Sequence, residues 1–137
     1  MSILESQEHP FHARSLGLSL TVKDLQKSLQ WYTEVVGFAV DRKIERDGTL
    51  RGYALRSGDI TISINQDDGA KGWDRVKGLG FSFRFTTDQS VDDIAARIRK
   101  HGGKLDLEPT DMSWGSRAIR LTDPDGFKLS ISRPITR

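Results

Sequence analysis

Arg84 is the residue whose type and setting most readily suggest chemistry. It lies in the alternating run Leu79–Thr86, where Phe81, Phe83 and Phe85 take one face and Gly80, Ser82 and Arg84 the other. A guanidinium on the polar face of a strand can grip a carboxylate or phosphate through two parallel hydrogen bonds. A salt bridge to an Asp or Glu from a loop is the competing use. Asn65 and Ser63 alternate in the same way against Ile60, Ile62 and Ile64, and Lys128 and Ser130 against Phe127, Leu129 and Ile131. Lys128 sits near a strand end and reads as solvated. Trp114, with Met112 beside it, can wall a cavity, and Trp73 can fold over one as a flap. Such aromatics suit flat or amphipathic ligands, although burial at a subunit interface would use the same residues.

Several other chemistries are poorly supplied. The chain has no cysteine, which excludes disulfides, thiolate metal sites and a cysteine nucleophile. His9 and His12 fall in an N-terminal tail and His101 at a helix end, all read as surface histidines. Asp123 and Asp125 belong to an Asp-Pro-Asp-Gly turn, where the carboxylates serve backbone hydrogen bonding. No positioned acid or base stands out on the polar face, since Asp41, Lys43 and Glu45 alternate as on a solvated strand. The formal charge of +2 comes without a run of basic residues, so no nucleic-acid partner is expected. The first twelve residues do not form a signal peptide, and no apolar window is long enough for a membrane span. A soluble cytoplasmic protein is expected.

The elements that would hold these residues come in two similar halves. Leu16–Leu20 is echoed 63 residues later by Leu79–Phe83, and Ile60–Ile64 is echoed 67 residues later by Phe127–Ile131. In the first half Asp24 caps a helix with apolar positions Leu25, Leu29, Tyr32 and Val36, closed by Gly37. Tyr32 takes the apolar stripe, which leaves the adjacent Trp31 as a flanking or partner-facing residue. Strands Phe38–Glu45 and Leu50–Arg56 meet at an Asp47-Gly48 hairpin turn, and the Ile60 strand follows. The second half repeats the order: strand Leu79–Thr86, a helix with Val91, Ile94, Ala95 and Ile98 stopped by Gly102-Gly103, a short strand at Lys104–Leu107, a loop with Pro109, then strands Ser116–Thr122 and Phe127–Arg133. Each half therefore reads βαβββ. The expected class is α+β, with a curled mixed sheet whose helices pack on its outer face. The polar face either meets solvent or lines a cup.

Two stretches carry a family resemblance. Leu18–Tyr32, continued by Val36-Gly37-Phe38, resembles the strand–helix signature of the vicinal-oxygen-chelate superfamily, which includes glyoxalase I, extradiol dioxygenases and bleomycin-resistance proteins. Trp114–Gly126 resembles its second hallmark. The likeness spans residues 13–133 as one domain, with modules 13–66 and 79–133, a linker 67–78 and a tail 1–12. It implies a cup fold and, for metal-dependent members, four ligands whose positions fall here on Gly17, Ser63, Gly80 and Ser130. Glycine has no ligating side chain and neutral serine is a poor ligand for a divalent ion.

With no metal and no cofactor expected, the sequence points to a protein that holds a small anionic or neutral organic ligand through Arg84, Asn65, Ser63, Ser130, Trp114 and Trp73. The resemblance implies a homodimer, strand-exchanged in many relatives. The alternative is an enzyme of the superfamily, a lyase, isomerase or dioxygenase, with displaced metal ligands or metal-free chemistry. A protein-interaction module with a filled cup is the third reading.

Overall fold

The structure, a computed structural model, describes Glu8 and residues 10–135, so His9 lies outside the described residues. The element order is β1 (Leu18–Val22), α1 (Leu25–Gln30), β2 (Ala39–Arg46), β3 (Thr49–Ser57), β4 (Ile60–Gln66), β5 (Ser82–Thr86), α2 (Val91–Lys100), β6 (Leu107–Asp111), β7 (Ser116–Thr122) and β8 (Lys128–Pro134). The strands form two four-stranded sheets, β1-β4-β3-β2 and β5-β8-β7-β6. In each, the first strand runs parallel to the last and the other pairs are antiparallel. The two halves are thus copies of one βαβββ module, an α+β arrangement.

Local chemistry explains the elements. Asp24 accepts a hydrogen bond from the backbone N–H of Lys27 and starts α1. The helix widens into π-helical turns at Trp31–Val36 and ends at Gly37, whose φ of +110° suits only glycine. Ser90 caps α2 in the same way, and Asp92 and Asp93 lie in its first turn, where the helix dipole favours negative charge. Asp47 and Gly48 both take positive φ, which gives the tight β2–β3 hairpin.

Leu20, Val22, Ile62 and Ile64 from the first sheet, and Leu121, Leu129 and Ile131 from the second, share one core with Tyr32, Val35, Val91, Ala95 and Ile98 of the helices. Trp31 packs edge-on against Tyr32, and an aromatic chain then runs Tyr32–Phe38–Phe85–Phe83 from one module into the other. Arg97 of α2 donates to the carbonyl of Val35 at 2.9 Å, which closes the end of the first helix from the second module. The apolar faces therefore meet across the helices, and the polar sheet faces are left outward.

Two boundaries differ from the sequence expectation. The strand expected at Leu79–Thr86 begins only at Ser82, because Gly78 and Gly80 take positive φ and β8 starts opposite Ser82. The strand expected at Lys104–Leu107 lies instead at Leu107–Asp111. The β6–β7 turn fixes its register by pairing Asp111 with Arg117. Pro109 is tolerated there because β6 is an edge strand and its ladder is irregular between Leu107 and Thr110.

The segment 67–78 is anchored at both ends. Asp67 and Lys77 are buried and 2.9 Å apart, Arg75 also pairs with Asp67, and Lys77 reaches Asp125 of the β7–β8 turn. The hydrogen bond from Lys77, helped by the backbone N–H of Gly69, pulls the Asp67 carboxyl down to about 2. A folded pKa below the ordinary carboxylate value stabilises the fold above about pH 4, and that gain is lost as pH falls toward 2. Asp67→Asn is therefore expected to lower Tm by several degrees at pH 7 and by progressively less below pH 4. Thermal melts of both proteins across that range check it.

Candidate functional site

The register of the second sheet builds a polar surface row by row. Arg120 of β7 pairs with Ser130 of β8, which pairs with Arg84 of β5. Residues in one row face the same way, so two guanidiniums flank a serine hydroxyl. The next row holds Thr122, Lys128 and Ser82, and the one before it Ala118, Ser132 and Thr86. Together with Trp114 and Asp106 these residues line an open cleft of about 800 Å³. Trp114 stands at its edge in the turn between β6 and β7 and is 58% exposed.

Charge in the cleft is uneven. Lys128 donates to the Thr122 hydroxyl at 2.9 Å, and that hydroxyl donates to Asp106, so one cation and the anion are linked through a shared partner. Among the described residues the side chains of Arg84 and Arg120 make no hydrogen bond or ion pair. The loop salt bridge that competes for Arg84 in the sequence is thus not formed with any of them. Two cationic forks are held on the strands either side of β8 with their donors unspent.

The first sheet presents a different surface. Ser19 pairs with Ser63, and Thr21 with Asn65. The Asn65 amide donates to the Ser19 hydroxyl at 2.7 Å. The middle of the face is small and neutral, with Gly52 and Ala54 continuing the rows on β3, and Arg42 of β2 extends the row of Ala54. Ser63 and Asn65 do not line the cleft of Arg84. Trp73 is also separate. It packs over Gly69 and lines a cleft of about 450 Å³ between the modules, with Lys23, Lys27, Gln66 and Asp125. The structure therefore brings together Arg84, Ser130 and Trp114 of the sequence candidates, and places Ser63, Asn65 and Trp73 elsewhere in this chain.

Arg120 is a site residue that the sequence reading passed over, although counting back from the Asp-Pro-Asp-Gly turn puts it beside Ser130. That turn has a further role. Asp123 accepts from the Tyr32 hydroxyl at 2.7 Å and from two backbone N–H groups, while Asp125 accepts from the Lys23 backbone and the Ser28 hydroxyl. The turn thus clamps the second module to the start and middle of the first helix. Burial raises the Asp123 carboxyl above its ordinary value, and burial together with Asp123 raises the Tyr32 phenol.

A divalent ion, implied by the likeness to metal-dependent proteins, does not fit the donor set. Gly17 and Gly80 lie just ahead of β1 and β5, and a Cβ at either would meet nothing within 4 Å. Room for a ligating side chain exists, but the side chain is missing. Ser63 and Ser130 offer only neutral hydroxyls. Among the described residues no three His, Asp or Glu are grouped to hold a metal.

Comparison with known proteins agrees with this architecture. A probable lactoylglutathione lyase of Synechocystis is 32% identical over 121 residues, covering 82% of this chain and 88% of that protein. The lactoylglutathione lyase of Salmonella typhimurium is 28% identical over 124 residues, covering 86% and 90%. Among solved structures, TnmS3, an antibiotic binding protein from Streptomyces sp. CB03234, superposes with a TM-score of 0.68 at 21% identity over 92% of this chain and 99% of that one. UcmS2 superposes with a TM-score of 0.72 at 16% identity over 89% and 98%. The family model of the Glyoxalase/Bleomycin resistance protein/Dioxygenase superfamily matches residues 12–131, and the chain belongs to that superfamily.

Proposed function

We propose that this protein binds a small organic anion on the polar face of its second sheet, without a metal ion. The observation that carries the reading is the row Arg120–Ser130–Arg84, with both guanidiniums unpaired among the described residues and an exposed Trp114 at the rim. Guanidiniums give charge and direction to the contact, and the indole gives a flat apolar wall. A thermal-shift screen of organic acids, amines and neutral compounds tests it. Acids should raise Tm in the unaltered protein and fail to do so in Arg84→Ala; selection of amines instead would count against the proposal.

The cup is completed, in this reading, by a second copy of the chain. β1 and β5 are edge strands with one open side each, and neither pairs with the other within the chain. The residues leading into them are apolar and exposed, Leu16 at 95% and Leu79 at 78%. An open edge with apolar flanks favours pairing with another strand. Pairing β1 of one copy with β5 of the other would set the neutral Ser19, Ser63 and Asn65 surface beside the arginines. Phe81→Asp should then shift the protein from dimer to monomer in light scattering and weaken ligand binding in parallel. A monomeric unaltered protein would contradict this part.

The second reading is a lyase, favoured by the names of the relatives that match most of the chain. It predicts formation of lactoylglutathione from methylglyoxal and glutathione when Ni²⁺ or Zn²⁺ is supplied. No turnover is expected here, because two of the four ligand positions are glycine.

A further inference from the structure

Building on the anion-binding reading, we propose that the cleft selects a dianionic tetrahedral headgroup, a phosphate monoester or phosphonate attached to an apolar body. The charge count of the lining supplies the first argument. Arg84, Arg120 and Lys128 face a single carboxylate, Asp106. Lys128 and Asp106 offset each other through the Thr122 hydroxyl, which leaves the two arginines as the uncompensated charge. A monoanion would neutralise only half of it.

Geometry supplies the second argument. Arg84 and Arg120 lie two strands apart, about 10 Å between backbones at ordinary strand spacing, with Ser130 directly between them. Arginine side chains on the two flanking strands are long enough to reach a ligand seated over the Ser130 hydroxyl. A phosphoryl group has three terminal oxygens, so it can accept from each guanidinium and from the serine at once. A planar carboxylate has enough lone pairs for three donors, but its two oxygens lie in one plane and fit donors arriving from three directions less well than a tetrahedral group does. Trp114 and Ala118 at the same cleft offer apolar surface to the remainder of the ligand.

The test is calorimetric titration of the full-length protein with phenyl phosphate, phenylphosphonate and benzoate at pH 7.5 and pH 5. At pH 7.5 both phosphorus compounds should bind at least tenfold more tightly than benzoate. The second proton of a phosphate monoester leaves near pH 6, so the affinity for phenyl phosphate should fall about tenfold at pH 5. Arg120→Gln should erase the preference while leaving weak benzoate binding in place, and Arg120→Lys should restore part of it. Equal affinity for benzoate, a flat pH response, or equal weakening of all probes by Arg120→Gln would overturn the dianion proposal and leave anion binding standing. If none of the three binds, anion binding on this face fails as well.

Discussion

Asp123→Ala is expected to cost about 3–5 kcal/mol, the largest single loss foreseen for this chain. The carboxylate is buried and accepts three hydrogen bonds, from the Tyr32 hydroxyl at 2.7 Å and from the backbone N–H groups of Asp125 and Phe127. Alanine leaves the buried donors unsatisfied at about 1–3 kcal/mol for each. Against a total stability of about 5–15 kcal/mol the variant would be marginal. Tyr32→Phe removes only one donor and should cost about 1–2 kcal/mol. It also carries a pH signature. Burial already raises the Asp123 pKa, and the Tyr32 hydrogen bond works against that rise. Without it the folded pKa climbs further, so the variant should lose stability relative to the unaltered protein as pH rises through that value. Urea unfolding between pH 4 and 8 reads both effects, and a Tyr32→Phe penalty that does not grow with pH would count against the clamp.

The second large effect is expected at Gly52. A Cβ there would lie 2.3 Å from the Ile64 carbonyl oxygen and 2.9 Å from the Asn65 side chain. The first of these is backbone of the paired strand β4 and cannot turn aside. Gly52→Ala should therefore part β3 from β4 locally at a cost of about 3 kcal/mol, and move Asn65 off Ser19. Gly17→Ala is the natural control, since nothing lies within 4 Å of its Cβ position, and it should change stability by less than about 0.5 kcal/mol. Urea midpoints for the two variants decide the matter. Equal stability would show that the small residues of the first sheet's polar face are not required by packing.

Much of the fold was written in local patterns. The Asp47-Gly48 turn, the two capped helices and the period-2 alternation each depend on residues close in sequence, so the two βαβββ modules could be read directly. Features set by distant partners were not legible. Leu79-Gly80-Phe81 alternates as well as any strand, yet it has no partner because β8 begins opposite Ser82. Pro109 argued for a loop, and only the edge position of β6 accommodates it. The contact of Lys77 with Asp67 and Asp125 joins residues up to 48 positions apart, with no local signature. At the site, alternation alone put Arg84 and Ser130 on polar faces. Which residues of the neighbouring strand stood beside them needed the β7–β8 register, and that register adds Arg120.

The central claim is that Arg84 holds an organic anion without help from a metal. The most direct measurement is calorimetric titration of chelator-treated protein with phenyl phosphate, for the unaltered chain and for Arg84→Ala. Saturable binding that survives the chelator and weakens at least tenfold in Arg84→Ala is the predicted result. Binding that appears only after a divalent ion is restored, or that is indifferent to Arg84, would contradict it.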